Sequence, residues 1–262
     1  MFKLKESRLL VAAAVVGLGV QAQAGLVANQ TINVNFSLLG EDYHYEGQGA
    51  LPSLGNTWNH LDLNSDHFEN TDLDYDGPNE YTDGEPTKFV KITDLVDSLG
   101  TTTSVGFRRY AEGDDIGGSG GWSGDEDAIA LLRSYNSIDR NGGTQYITIT
   151  GLDPSLPHNL IMYAIGNAPR EGAVFTFDGT QKTSSGGNSF PLIHDSYVEG
   201  VNYVQFIGTP NAEGELTFHW NCIDDLGQYT VMNGFQIQAI PEPSALVLLG
   251  IGGLLMLSRR RL

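Results

Sequence analysis

The chain has 262 residues and carries 32 acidic against 14 basic side chains, for a formal net charge of −18. An acidic excess of this size disfavours binding to nucleic acid and to anionic lipid headgroups. The single cysteine, Cys222, excludes an intramolecular disulfide, so the fold must be held by its own hydrophobic core.

Residues 1–24 have the pattern of a secretory signal peptide. An apolar run over 9–20 follows three basic residues, and a small-x-small cleavage site precedes Gly25 with Ala22 and Ala24 at its two small positions. We expect the secretion machinery to export the chain and signal peptidase to remove this N-terminal helix. A retained N-terminal anchor is the weaker alternative, because about twelve apolar residues are too few to span a bilayer.

The last 23 residues contain three parts in a fixed order. A Pro-Glu-Pro turn leads into an apolar run over 244–257, and three arginines follow: the residues are Pro241, Glu242, Pro243, Arg259, Arg260 and Arg261. As a helix, the run covers about 21 Å of a hydrocarbon core that is about 30 Å thick. The arginines place this end in the cytoplasm and the rest of the chain outside. We therefore predict a C-terminal hydrophobic helix over part of 240–262 that is a marginal transmembrane span.

These three parts resemble the Pro-Glu-Pro C-terminal sorting signal (PEP-CTERM) of Gram-negative bacteria, with a match over 241–261. The resemblance implies that an exosortase-type membrane protease recognises the tail in the inner membrane, cuts near the prolines and passes the protein outwards. We expect export across the inner membrane, transient anchoring, and then a place at the cell surface or in the extracellular matrix. A permanent single-pass anchor is the alternative. Removal of residues 1–24, which carry a net charge of +2, and of the three tail arginines changes the formal net charge from −18 to −23.

Residues 25–239 have the pattern of one β domain. Nine segments alternate apolar and polar residues and are separated by Gly, Asn, Asp and Pro clusters: Thr31–Phe36, 88–93, 103–108, 144–150, 159–165, 173–177, 202–207, 215–220 and 229–238. Only 125–137 has helical spacing. We predict a mainly β fold, an antiparallel β-sandwich of jelly-roll type with one short helix.

Several runs within this domain resemble the β-sandwich ectodomain that is common in planctomycete and verrucomicrobial proteins with this sorting tail. The runs are 55–59, 95–100, the Leu131-Leu132 pair with Tyr135, and 148–154 with the strand that follows. The resemblance covers most of 26–239. It implies a sandwich, and it implies nothing about a ligand.

An acidic loop over 72–83 has the spacing of a calcium loop. Carboxylates stand at loop positions one, three, five, nine and twelve, and glycine stands at six; the carboxylates are Asp72, Asp74, Asp76, Glu80 and Asp83. The loop departs from the pattern at position eight, which is Asn79, and at position twelve, where the pattern has Glu. No amphipathic helix flanks it. A structural calcium site and a solvated acidic loop are both open interpretations.

No catalytic residue is predicted. The glycine run 117–121 matches a nucleophile elbow around Ser119, but the buried strand and the helix that an elbow needs are missing from the pattern. The aromatic residues of 40–86 form either a sugar-stacking platform or anchors that pack a long loop onto the sheet; they are Tyr43, Tyr45, Trp58, Tyr75 and Tyr81.

Two classes of function therefore compete. The first is a non-enzymatic surface or matrix protein with a structural role or an association with extracellular polysaccharide. The second is a secreted carbohydrate-active hydrolase, because a glycosidase needs only two carboxylates that the fold brings together. A cleft with two carboxylates about 5–10 Å apart and aromatic walls favours the hydrolase.

Overall fold

The structure is a computed structural model that describes residues 26, 29–36, 44–61, 89–111, 118–121, 129–139, 143–187, 189–223 and 229–241. Within these ranges the chain is mainly β, with one four-residue helix, α1, at Ala130–Arg133. The strands are β1 (Thr31–Phe36), β2 (Asn59–Leu61), β3 (Phe89–Ile92), β4 (Gly106–Ala111), β5 (Gly118–Gly121), β6 (Ser134–Asp139), β7 (Gln145–Thr150), β8 (His158–Tyr163), β9 (Ala173–Phe177), β10 (Thr180–Ser184), β11 (Tyr203–Gly208), β12 (Leu216–Asn221), β13 (Tyr229–Met232) and β14 (Gly234–Ala239).

The described strands form three sheets. The five-stranded sheet has the order β11-β8-β14-β1-β2, the six-stranded sheet β10-β9-β12-β7-β4-β3, and the three-stranded sheet β13-β6-β5. Neighbouring strands run antiparallel except β1 and β2, which pair in parallel. The first and last strands of the domain are neighbours, and Thr31 stands opposite Gln238. The mainly β, antiparallel prediction is confirmed.

The five-stranded and six-stranded sheets share one hydrophobic core. Because side chains alternate between the faces of a strand, β1 sends Ile32, Val34 and Phe36 to this core. Phe36 lies against both Phe107 and Phe235, with ring centroids 6.1 and 6.2 Å away. The alternation seen in the sequence therefore identifies the core-facing residues correctly.

The opposite face of β1 is polar and nevertheless buried, because the segment 44–61 covers it. Asn33 donates from Nδ2 to the carbonyl of Thr57 at 2.9 Å. Asn59 donates from Nδ2 to the carbonyls of Asn33 and Val96, at 2.9 and 2.8 Å. These amide side chains satisfy backbone groups that the covering segment would otherwise leave without partners.

A second hydrophobic cluster lies on this outer face of the five-stranded sheet. Its buried members come from the covering segment, from α1, and from β8 and the residues directly after it: Trp58, Leu131, Leu132, Ile161, Tyr163 and Ile165. The leucine pair that suggested a helix in the sequence thus packs the covering layer onto the sheet.

The predicted helix over 125–137 is wrong in extent. Of that range the structure describes 129–137, in which only Ala130–Arg133 is helical and Ser134 begins β6. Ser, Tyr and Asn are weak helix formers. In the strand, pairing with β13 and β5 supplies the backbone hydrogen bonds of this run instead.

The predicted strand over 229–238 is wrong in continuity. It is two strands in different sheets, β13 and β14, which are separated at Asn233. Asn233 accepts from Ile165 N at 2.7 Å through Oδ1 and donates from Nδ2 to Ser134 O at 2.8 Å. Gly234 follows with φ +153°. The Asn-Gly pair, a common turn signal, marks the break.

Candidate functional site

A groove runs along one side of the domain, between the edge strands of the two larger sheets. Its walls are β10, at the edge of the six-stranded sheet, and β11, at the edge of the five-stranded sheet. The groove has a volume of about 570 Å³ and is lined by Phe177, Asp178, Thr180, Lys182, Glu199, Gln205, Phe206 and Ile207. We call it the edge groove.

A tight hairpin presents one wall of the edge groove. Phe177 pairs with Thr180, so the turn between β9 and β10 has two residues, Asp178 and Gly179. Both have positive φ, +46° and +71°, as a type I′ turn requires. β10 lies outside the predicted strands because its five residues include no large apolar side chain, although the Asp-Gly pair is a strong hairpin signal.

Lys182 connects the two walls. Its Nζ donates to the backbone carbonyl of Gln205 at 2.5 Å, forms an ion pair with Glu199 at 3.5 Å and lies 5.3 Å from the centroid of the Phe206 ring. The side chains of Lys182 and Glu199 are 40% and 50% exposed. Solvent therefore screens the ion pair, and its main effect is to hold the ammonium in place.

The open edge of β11 is capped. The carbonyl of Tyr203 accepts from Gly200 N at 2.8 Å, and that of Gln205 accepts from Lys182. An exposed edge strand is a template for pairing with another chain, and a lysine across the edge is a common protection. The edge groove is therefore poorly suited to an added β-strand.

The edge groove is mixed in polarity. Asp178 and Glu199 bring two carboxylates and Lys182 brings one ammonium. Ile207 is 64% exposed, whereas Phe177 and Phe206 are 8% and 5% exposed and pack edge to face with centroids 5.8 Å apart. The aromatic rings belong to the core and present only their margins to the groove.

The two ends of the described domain lie together. Gln238 donates from Nε2 to Thr31 Oγ1 at 2.9 Å, and Asn29 N donates to Ala239 O at 3.0 Å. Ile240 N donates to Pro157 O at 2.8 Å, directly before the half-buried Pro241. We call this the terminal end.

Four loops meet at the terminal end, and all are acidic. They are 93–105, 151–157, 178–179 and 209–215; Leu152 N donates to Gly214 O at 3.0 Å and Ser98 N to Thr31 O at 2.8 Å. These four described loops hold six carboxylates and neither lysine nor arginine: Asp94, Asp97, Asp153, Asp178, Glu213 and Glu215. Glu215 forms an ion pair with Arg108 at 2.7 Å.

Most of the predicted site residues lie outside the described residues. This applies to the cleavage-site residues Ala22, Ala24 and Gly25, and to the sorting residues after Pro241, namely Glu242, Pro243, Arg259, Arg260 and Arg261. It applies also to the calcium-loop residues Asp72, Asp74, Asp76, Glu80 and Asp83, and to Ser119 as far as its side chain is concerned.

The described aromatic residues of the proposed sugar platform are anchors of the covering layer. Trp58 is 5% exposed, donates from Nε1 to Gly47 O at 2.9 Å and packs against Tyr45 with centroids 5.1 Å apart. A stacking platform needs an open ring face, so Trp58 does not supply one. Of the two alternatives, packing onto the sheet is correct for this pair.

The part of the chain that the structure describes holds no group of three or more His, Cys, Asp or Glu side chains that could bind a metal ion. Nor does any helix among those residues combine the length and the apolar character needed to cross a bilayer. Comparison with protein-family models finds no family that matches the chain, and comparison with curated proteins finds no match either. The fold defines only a class, a mainly β protein built from antiparallel sheets.

Proposed function

We propose that this chain is an exported cell-surface or extracellular-matrix protein, sorted through its C-terminal Pro-Glu-Pro segment. In this proposal its domain is a jelly-roll-like β-sandwich with a non-enzymatic structural or glycan-associated role. Signal peptidase and an exosortase-type protease process its two ends.

The observation that carries the proposal is the contact between Thr31 and Gln238 at the terminal end. The signal peptide precedes the first strand and the sorting segment follows the last, so both would leave the domain at the same place. A precursor held in the membrane by either segment, or by both, keeps its folded domain on one side without strain. Both cuts would also fall outside the strands, because β1 begins at Thr31 and β14 ends at Ala239.

The charge of the terminal end supports release after processing. The exposed carboxylates of Asp94, Asp178 and Glu213 repel a surface of anionic headgroups. Once the arginine-tipped tail is removed, the four described loops hold no lysine or arginine to draw the domain back. We therefore expect the processed protein to leave the membrane surface.

Replacement of Arg259, Arg260 and Arg261 by glutamine tests the sorting role in a host that carries an exosortase. We expect the triple variant to accumulate unprocessed in the membrane fraction, while the unchanged chain reaches the outer surface or the medium. A lysine triple variant is the matched control, since it keeps the positive charge that positions the tail. Equal release of all three chains contradicts the proposal.

A secreted hydrolase is the second candidate, because the edge groove holds two carboxylates, Asp178 and Glu199. Glu199 is half exposed and paired with Lys182, whereas a glycosidase acid needs a more secluded carboxyl group. Release of reducing ends from polysaccharide by the chain, and its loss in Glu199→Gln, would favour this candidate.

A further inference from the structure

We propose that the edge groove binds an oligosaccharide that is uncharged or carries amino groups. This inference rests on the proposed glycan-associated role and gives it a site and a class of ligand. The groove volume of about 570 Å³ lies within the range of small-molecule sites, about 300–1,000 Å³.

The backbone of the groove wall argues against a peptide as the occupant. A peptide that adds a strand to a sheet needs free carbonyl and amide groups along the edge. On β11, the carbonyls of Tyr203 and Gln205 already accept hydrogen bonds from Gly200 N and from Lys182 Nζ. Binding of a strand there would have to break both.

The charges of the groove argue against a polyanion. Two carboxylates face one ammonium, which is itself held by Glu199 at 3.5 Å and by the carbonyl of Gln205. The domain around the groove also carries a large acidic excess. Uronate-rich and sulfated glycans are therefore repelled, whereas neutral sugars are not and amino sugars are attracted.

The polar and apolar groups of the groove suit a sugar. Carboxylate oxygens of Asp178 and Glu199 can accept hydrogen bonds from hydroxyl groups, and Thr180 can both donate and accept. The exposed side chain of Ile207 offers an apolar surface to the C–H face of a sugar ring. The two walls are fixed before binding by Lys182, which lowers the ordering cost of association.

Calorimetric titration of the full-length chain tests the proposal, in a detergent without a sugar headgroup. The probes are cellohexaose, which is neutral, a glucosamine hexamer, which is cationic, and a galacturonate hexamer, which is anionic. We expect saturable binding of at least one of the first two and no binding of the third at the same concentration.

Three variants locate the site. Asp178→Asn keeps the turn, because asparagine tolerates positive φ, and Glu199→Gln and Ile207→Ser change one groove side chain each. We expect each to weaken binding by about tenfold, the value for loss of one good contact. Glu213→Gln also removes one negative charge, from an exposed side chain that does not line the groove, and should leave binding unchanged.

The outcomes separate this inference from the proposed function. The inference is overturned if no probe binds or if only the anionic hexamer binds. It is also overturned if the groove variants bind as tightly as the unchanged chain and have the same melting curves. Processing and release of the chain are measured without any glycan. Export without glycan binding therefore removes the groove proposal only, and glycan binding without export removes the sorting proposal only.

Discussion

Gln238 donates from Nε2 to Thr31 Oγ1 at 2.9 Å, and through this contact the beginning of the first strand lies against the end of the last. β14 is also the central strand of the five-stranded sheet, between β8 and β1. The residues directly before Ile240 thus belong to a strand that is paired on both sides. Removal of the tail after Ile240 leaves every strand intact, whereas a cut within β14 removes the centre of a sheet.

Gly234 is predicted to be essential for the passage from β13 to β14. A Cβ on this residue would lie 2.0 Å from the carbonyl oxygen of Val34, and φ is +153°. We expect Gly234→Ala to lower the free energy of unfolding by about 3 kcal/mol or more, since backbone atoms of the central strands cannot give way.

Gly179 provides the matched control for this prediction, because its φ of +71° is also positive but no atom lies within 4 Å of an added Cβ. Gly179→Asn should change the free energy of unfolding by no more than about 0.5 kcal/mol, as asparagine accepts this conformation. Urea denaturation measures both variants. Equal effects of the two substitutions would show that the contact with Val34 is unimportant.

Tyr163 is predicted to fasten the covering segment to β8. Its hydroxyl accepts from Ala50 N at 2.7 Å and donates to Gln236 Oε1 at 2.5 Å, and burial raises its pKa well above 10. Tyr163→Phe removes both bonds and leaves the part-buried Ala50 N without its acceptor, whereas Gln236 Oε1 still accepts from Leu51 N, so we expect a loss of about 1–3 kcal/mol. Tyr229→Phe, at a side chain that is 43% exposed, should have almost no effect.

The stability of the fold is predicted to decrease in mild acid through His60. Burial lowers the pKa of His60 to about 4, and the ring of His44, stacked on it with centroids 4.1 Å apart, adds to the shift. The unfolded chain binds this proton with the ordinary pKa of 6.5. Between these values the unfolded state holds more protons, so the free energy of unfolding falls as the pH drops from about 6.5 towards about 4.

His60→Gln should flatten this part of the pH profile, measured by urea denaturation between pH 4 and pH 7. His44→Gln removes only the smaller cause of the shift, so most of the slope should remain. Burial also lowers the pKa of His158, which contributes a slope of the same sign in both variants. A profile that His60→Gln leaves unchanged would contradict the assignment.

The calcium loop remains a prediction from sequence, because 72–83 lies outside the described residues. We expect calcium to raise the melting temperature and Asp74→Ala to abolish the increase, since hard oxygen ligands at alternating positions converge on one cation. Glu213→Gln, an acidic change elsewhere on the surface, should keep the increase. Identical melting curves in calcium and in chelator would reject the site.

The strands with clear alternation could be predicted from sequence, and those without it could not. β1 and β9 have the predicted bounds, because one face of each meets the core. β2 has three residues, β5 is Gly-Ser-Gly-Gly, and β10 has no large apolar residue, so none of them has a hydrophobic period. These segments are strands because they pair with neighbouring strands. The sequence of a single chain does not show which segments pair.

The edge groove could not be predicted for a related reason. Lys182 and Gln205 are 23 residues apart and belong to different sheets, and they meet because β10 and β11 are both edge strands on the same side. For Trp58 and Tyr45 the sequence left a sugar platform and loop anchors as alternatives, and the structure shows them packed in the same cluster as the buried Tyr163. Burial depends on what a residue packs against, and Tyr163 is distant from both in sequence.

Intact-mass spectrometry of the chain from the membrane and extracellular fractions of a host with an exosortase tests the central claim most directly. We expect an extracellular species that begins at Gly25, ends at or just after the Pro-Glu-Pro segment and lacks the three arginines. The same host without its exosortase should hold a membrane species that ends at Leu262. An extracellular chain that still ends at Leu262, or a chain that retains residues 1–24 in every fraction, would contradict it.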